Sequence, residues 1–92
     1  MKLAAGPGPV FTVMSRQWCH LCHDLVMALE PIAAEFGWKV EVFDVDQDAG
    51  LEARWNEWVP VLLHGERELC HYHLDEAAVR AYCAGFPLES RP

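Results

Sequence analysis

Two cysteines separated by two residues, Cys19-His20-Leu21-Cys22, stand at a break in the hydrophobic pattern. Before them, Pro9-Val10-Phe11-Thr12-Val13-Met14 is an apolar run rich in β-branched and aromatic residues, which predicts a buried strand. After them, Leu21, Leu25, Leu29, Ile32 and Phe36 recur at steps of three and four, which predicts one face of a helix over 19–36. Ser15-Arg16-Gln17-Trp18 forms the connecting loop. A strand that hands two cysteines to the first turn of a helix restricts the chain to α/β architectures. It also places one sulfur where unpaired backbone N–H groups converge, and their partial positive charge favours a thiolate. A thiolate is the nucleophile that opens disulfides.

The remaining pattern fills out that architecture. Pro31 predicts a bend or a break in the helix, and Gly37 its stop. Trp38 to Phe43 alternates as a second strand, and Asp44-Val45-Asp46-Gln47-Asp48 is suited to cap a short helix over 49–55. Leu51 and Trp55 lie four apart on one side of it. Val59-Pro60-Val61-Leu62-Leu63 reads as a third strand, His64-Gly65-Glu66-Arg67 as a turn and Glu68-Leu69-Cys70 as a fourth strand. Asp75 can cap a last helix whose Ala78, Val79, Tyr82 and Cys83 face the core. Residues 1–8 and 86–92 read as loose tails, with fraying from Gly85, around a single domain. The leading βαβ unit requires a right-handed crossover and parallel pairing. The predicted class is α/β, in the order β-α-β-α-β-β-α, with a four-stranded mixed sheet flanked by helices on both faces.

Charge and length narrow the functions. The chain has 92 residues and a net charge of −7, from 14 acidic and 7 basic side chains. No basic stripe appears, so neither nucleic acid nor a membrane surface is an expected partner. A hydrophobic fraction of 52% gives an adequate core for a monomer without metal or disulfide staples. Lys2 is followed by only Leu3-Ala4-Ala5 before Gly6-Pro7-Gly8-Pro9, which is no secretory signal, and no apolar stretch is long enough to cross a bilayer. The expected location is therefore cytoplasmic. In a reducing setting a C-x-x-C is more often redox-active or metal-binding than structural.

The element order, with C-x-x-C after the first strand and Val59-Pro60 opening the third, resembles the thioredoxin-like fold, and within it the glutaredoxin-like proteins. The resemblance covers roughly residues 9–84. It implies a thiol–disulfide oxidoreductase with Cys19 as attacking thiol and Cys22 as resolving thiol. It implies a cis bond before Pro60, with the backbone of Val59 available to pair with an extended substrate. Arg16 matches a basic position near the thiol in many glutaredoxins, where it would neutralise the thiolate or grip a glutathione carboxylate. No bound cofactor is implied. Electrons would come from glutathione or a reductase, and substrates would be protein or small-molecule disulfides. Two family features differ here: His20-Leu21 replaces Pro-Tyr between the cysteines, and Cys70-His71-Tyr72-His73-Leu74-Asp75 replaces a segment with two glycines.

Several residues carry two readings. His20 would favour the thiolate if protonated, or face solvent to no effect, and with Leu21 it lies where substrate would pass. His23 reads as an ordinary helix residue. Trp18 is either an exposed platform for substrate or packs against the second helix. Cys70 and Cys83 read as small buried hydrophobes. Cys19, Cys22, Cys70 and His73 together are also a zinc-type ligand set, which gives the alternative of a metal- or Fe–S-binding carrier. A third alternative is a non-catalytic binding module. Asp44, Asp46 and Asp48 lack the glycine and glutamate of a calcium loop.

Overall fold

The structure is a computed structural model and describes residues 9–86. Its elements are β1 (Val10–Ser15), α1 (His20–Phe36), β2 (Lys39–Asp44), a 3₁₀ turn (Val45–Gln47), α2 (Ala49–Trp55), β3 (Val61–His64), β4 (Arg67–His71) and α3 (Glu76–Gly85). The order is the one expected. The leader 1–8 and the tail beyond residue 86 lie outside the described residues. No helix among those described is long and apolar enough to cross a membrane.

The four strands form one mixed sheet in the order β2-β1-β3-β4. β1 pairs with β2 in parallel from Val10↔Lys39 to Ser15↔Asp44, and β3 is antiparallel to both β1 and β4. Strand alternation divides the core in two. Phe11 and Val13 of β1 and Leu62 of β3 face Leu25, Leu29, Ile32 and Ala33 of α1 and Val79 and Cys83 of α3. Met14, Val61 and Leu63 face the opposite way, against Val45 and the half-buried Leu51 and Trp55 of α2. Helices therefore cover both faces, and full burial of a side chain such as Leu29 stabilises by roughly 1.5–3 kcal/mol.

Local chemistry sets the boundaries. Gly37, at φ of +77°, ends α1 with Trp38 N–H donating to the Ala33 carbonyl (2.8 Å) and Gly37 N–H to that of Ala34 (3.3 Å), the two bonds of a Schellman ending. Asp48 caps α2 through the N–H groups of Gly50 and Leu51, and Asp75 caps α3 through that of Ala78. Gly65, at φ of +63°, occupies the first position of the two-residue turn between His64 and Arg67.

Three expectations change, and of the two outcomes open at Pro31, a bend or a break, the break does not occur. Pro31 does not split α1, which runs on through it. Pro31 and Met27 both lie on the solvent side, so water can satisfy the Met27 carbonyl that loses its N–H partner. Trp38 does not begin the second strand. It is buried, stacked on Phe11 (4.3 Å between ring centres) with Phe86 against its edge (5.3 Å). Phe86, expected in the loose tail, is thus docked on the core, and Gly85 is the last residue of α3. Ala78 is exposed, because Val79 and Cys83, one turn apart, already fill the inward stripe of α3.

Candidate functional site

The sheet register gathers the site at one end of the molecule. Met14 pairs with Val61, and Val61 with His71, so the chain beyond β1, the chain before β3 and the chain beyond β4 emerge side by side. The first carries Arg16 to Cys22, the second Trp58 to Pro60, the third Tyr72 to Leu74.

Cys19 is the N-cap of α1. Its backbone is extended, its carbonyl accepts the first helical bond from His23 N–H (3.1 Å), and its Sγ accepts from Cys22 N–H at 3.1 Å. No acidic residue occupies the first turn of this helix, so no carboxylate competes for its positive end. Cys19 is half-buried and Cys22 fully buried among the core residues of α1. The two are joined as a disulfide, with Cα atoms 5.2 Å apart, inside the range that a disulfide requires. The sequence-predicted pair is therefore together, with unequal access to solvent.

The Val59–Pro60 peptide bond is cis. Pro60 is buried and Val59 half-buried. Tyr72 brackets this loop: its N–H donates to the Pro60 carbonyl (2.8 Å) and its hydroxyl to the Glu57 carbonyl (2.8 Å). Tyr72 takes a left-handed backbone at φ of +66° to do so, and its ring stacks beside Trp58.

Trp18 also has a left-handed backbone (φ of +61°) and is 99% exposed, which excludes its packing against another helix. With Ser15, Cys19, Cys22, His23, Val26 and Val42 it lines a shallow depression of about 280 Å³. Leu21, 39% exposed, does not complete the apolar stripe of α1. It borders a second depression of about 210 Å³, lined also by Asp24, Leu25, Ala28, Tyr72, His73, Leu74 and Glu76. His20 and His23 are exposed beside Trp18 and Cys19. A larger polar hollow of about 450 Å³ over α2 contains neither cysteine.

Arg16 departs from its expected role as a free cation beside the sulfur. Its Nε and Nη2 donate to the two carboxylate oxygens of Asp46 (3.0 Å each), and its other donors go to the side chain and carbonyl of Asn56. The Asp46 carboxylate raises the Arg16 pKa above its already high ordinary value. This bidentate pair ties the loop before Cys19 to the turn after β2 and to the loop leading to Pro60. Asp46 and Asn56 carry no local signal that would have marked them, since they lie 30 and 40 residues away.

The zinc-type set does not assemble. Among the described residues, no three His, Cys, Asp or Glu side chains are grouped so as to hold a metal ion. Cys70 lies in β4, half-buried against the core, while His73 is exposed beyond the strand. Burial raises the thiol pKa of both Cys70 and Cys83, and for Cys70 it outweighs a hydrogen bond with the Asp75 backbone that acts the other way.

Residues 10–83 match the family model described as Glutaredoxin-like domain (DUF836). A protein of Nitrosomonas europaea, solved by NMR in solution, is 34% identical, with a TM-score of 0.71 over 82% of this chain and 91% of that one. A protein of X. campestris, solved by X-ray, is 33% identical, with a TM-score of 0.68 over 84% of this chain and 99% of that one. The germline-specific thioredoxin Deadhead of the fruit fly Drosophila melanogaster is 23% identical, with a TM-score of 0.58 over 88% of this chain and 83% of that one. That last likeness concerns the fold alone: a thioredoxin-like α/β fold with a four-stranded mixed sheet and three helices.

Proposed function

The chain belongs to the Glutaredoxin-like domain (DUF836) family, and from that premise we propose that it is a thiol–disulfide oxidoreductase working by a dithiol mechanism. One observation carries this reading: the Cys19 sulfur caps α1 and accepts a backbone N–H at 3.1 Å, half-open to solvent, with Cys22 buried one turn inside. In the reduced protein the same N–H and the helix terminus stabilise a Cys19 thiolate.

That thiolate attacks a substrate disulfide. A Cys19–substrate disulfide forms, and the distal sulfur leaves with the electron pair of the broken bond and takes a proton from water. Cys22, deprotonated as it attacks, then displaces the substrate sulfur from Cys19. The second substrate thiol is released and the Cys19–Cys22 disulfide remains. Two electrons have passed to substrate. A thiol donor, glutathione or a dithiol reductase, returns them in a reducing compartment such as the cytoplasm. The depressions beside Trp18 and Leu21 are where substrate would lie, with the Val59 backbone available to an extended segment.

The test is a pair of variants. Cys19→Ser is expected to abolish reduction of a small neutral disulfide, and Cys22→Ser to accumulate a mixed disulfide visible by mass. Undiminished turnover in Cys19→Ser removes the proposal.

A further inference from the structure

The groove beside the first turn of α1 is acidic, although it contains neither cysteine. The groove beside Leu21 has an apolar floor that includes Leu25 and Leu74, and its charged members are Asp24 and Glu76. Asp75 adds a third carboxylate where α3 begins. Among the described residues, the depressions that hold the cysteines contain no carboxylate, and beside His20 and His23 their one Lys or Arg is Arg16, whose donors are already committed to Asp46 and Asn56. The helix N–H nearest the sulfur goes to Cys19 itself. Among the described residues, an anion seated in the groove beside Leu21 meets two carboxylates and, besides His73, no basic side chain. A cation attached to an apolar segment meets complementary charge and an apolar floor.

Resting on the oxidoreductase reading above, we propose that the site selects its disulfide by charge. It takes one carried on a polypeptide segment with Lys or Arg near the target cysteine, seated between Leu21 and Leu74, and it discriminates against glutathione disulfide, whose two halves each bear two carboxylates. Cys19 joins the segment's cysteine, and the other half of the substrate disulfide leaves as a thiolate with the bonding electron pair. Carboxylates at the groove raise the local concentration of a cationic substrate and lower that of an anionic one, each by up to about tenfold at low salt.

The experiment uses the Cys22→Ser protein, reduced, and follows mixed-disulfide formation by mass. Four probes are compared: hydroxyethyl disulfide, glutathione disulfide, and two peptides of equal length in symmetric disulfides, one with Lys and one with Glu flanking the cysteine. The expected order is Lys peptide first, by about tenfold over the Glu peptide and over glutathione disulfide. The gap should close at about 1 M salt, where screening acts within a few ångströms. It should also shrink in Asp24→Asn/Glu76→Gln, and persist in the charge-matched control Glu41→Gln/Glu66→Gln, which changes carboxylates outside the groove. Equal rates for the two peptides, or a preference undiminished in Asp24→Asn/Glu76→Gln, overturns this proposal. Hydroxyethyl disulfide separates the two levels: rapid reaction with it leaves the oxidoreductase reading standing whatever the peptides do, whereas no reaction with any probe sinks both.

Discussion

A half-open sulfur at a helix terminus and a sulfur sealed in the core should meet the same alkylating reagent at very different rates. In the reduced protein, Cys19 is expected to alkylate first at neutral pH, well ahead of Cys70 and Cys83, whose thiol pKa values burial pushes upward. Peptide mapping after brief exposure to iodoacetamide reads this directly, and modification of Cys83 ahead of Cys19 would contradict it. The raised pKa values also set a pH dependence. The folded state keeps the Cys70 and Cys83 protons, while the unfolded chain loses them near the ordinary thiol value of about 8.5. Their contribution to stability is therefore complete below that pH and declines as pH rises through it. Urea midpoints of the disulfide form at pH 7 and pH 10 should show the decline, and Cys70→Ala/Cys83→Ala should lessen it. The cysteine pair was legible at this scale because its signal lies within four residues. The fate of Arg16 was not, because a guanidinium is placed by whichever carboxylate the folded chain brings to it.

Each helix begins or ends on a residue that satisfies otherwise unpaired backbone groups. Asp75→Ala removes the acceptor of the Ala78 N–H and should cost about 1 kcal/mol, read as a lower urea midpoint with an unchanged slope. The Arg16–Asp46–Asn56 contacts act between elements, holding the loop before Cys19 against the chain that leads to Pro60. If Arg16 served instead to grip a substrate carboxylate, Asp46→Asn would free it and improve turnover of glutathione disulfide. As a clamp, Arg16→Ala and Asp46→Asn should lower turnover of neutral and anionic disulfides alike. Combining them should cost little more than either alone, since both remove one interaction. Caps and periodicity made the helices readable: Gly37 ends α1 and Asp75 begins α3 as expected, Asp48 of the acidic stretch caps α2, and Cys19, expected inside α1, is its N-cap. Pro31 left a bend and a break both open, because its effect depends on which side of α1 faces solvent, and that is settled by packing.

The whole molecule is one sheet with a core on each face, and β1 and β3 contribute to both, so truncation at the centre of one should be felt globally. Leu29 is fully buried in the larger core, and Leu29→Ala should cost about 2–5 kcal/mol in a chemical denaturation. A transition split in two in that variant would mean that the two cores unfold independently. The order of elements, the strand that delivers the cysteines and the caps were determined by the sequence alone, because periodicity and capping act within a few residues of each other. The tertiary structure alone decided that Arg16 is occupied, that Cys70 and His73 stand apart from Cys19 and Cys22, that Phe86 docks on Trp38, and that Leu21 and Leu74 border one acidic groove. Each of these joins residues far apart along the chain, and only strand register and helix packing determine which distant side chains meet.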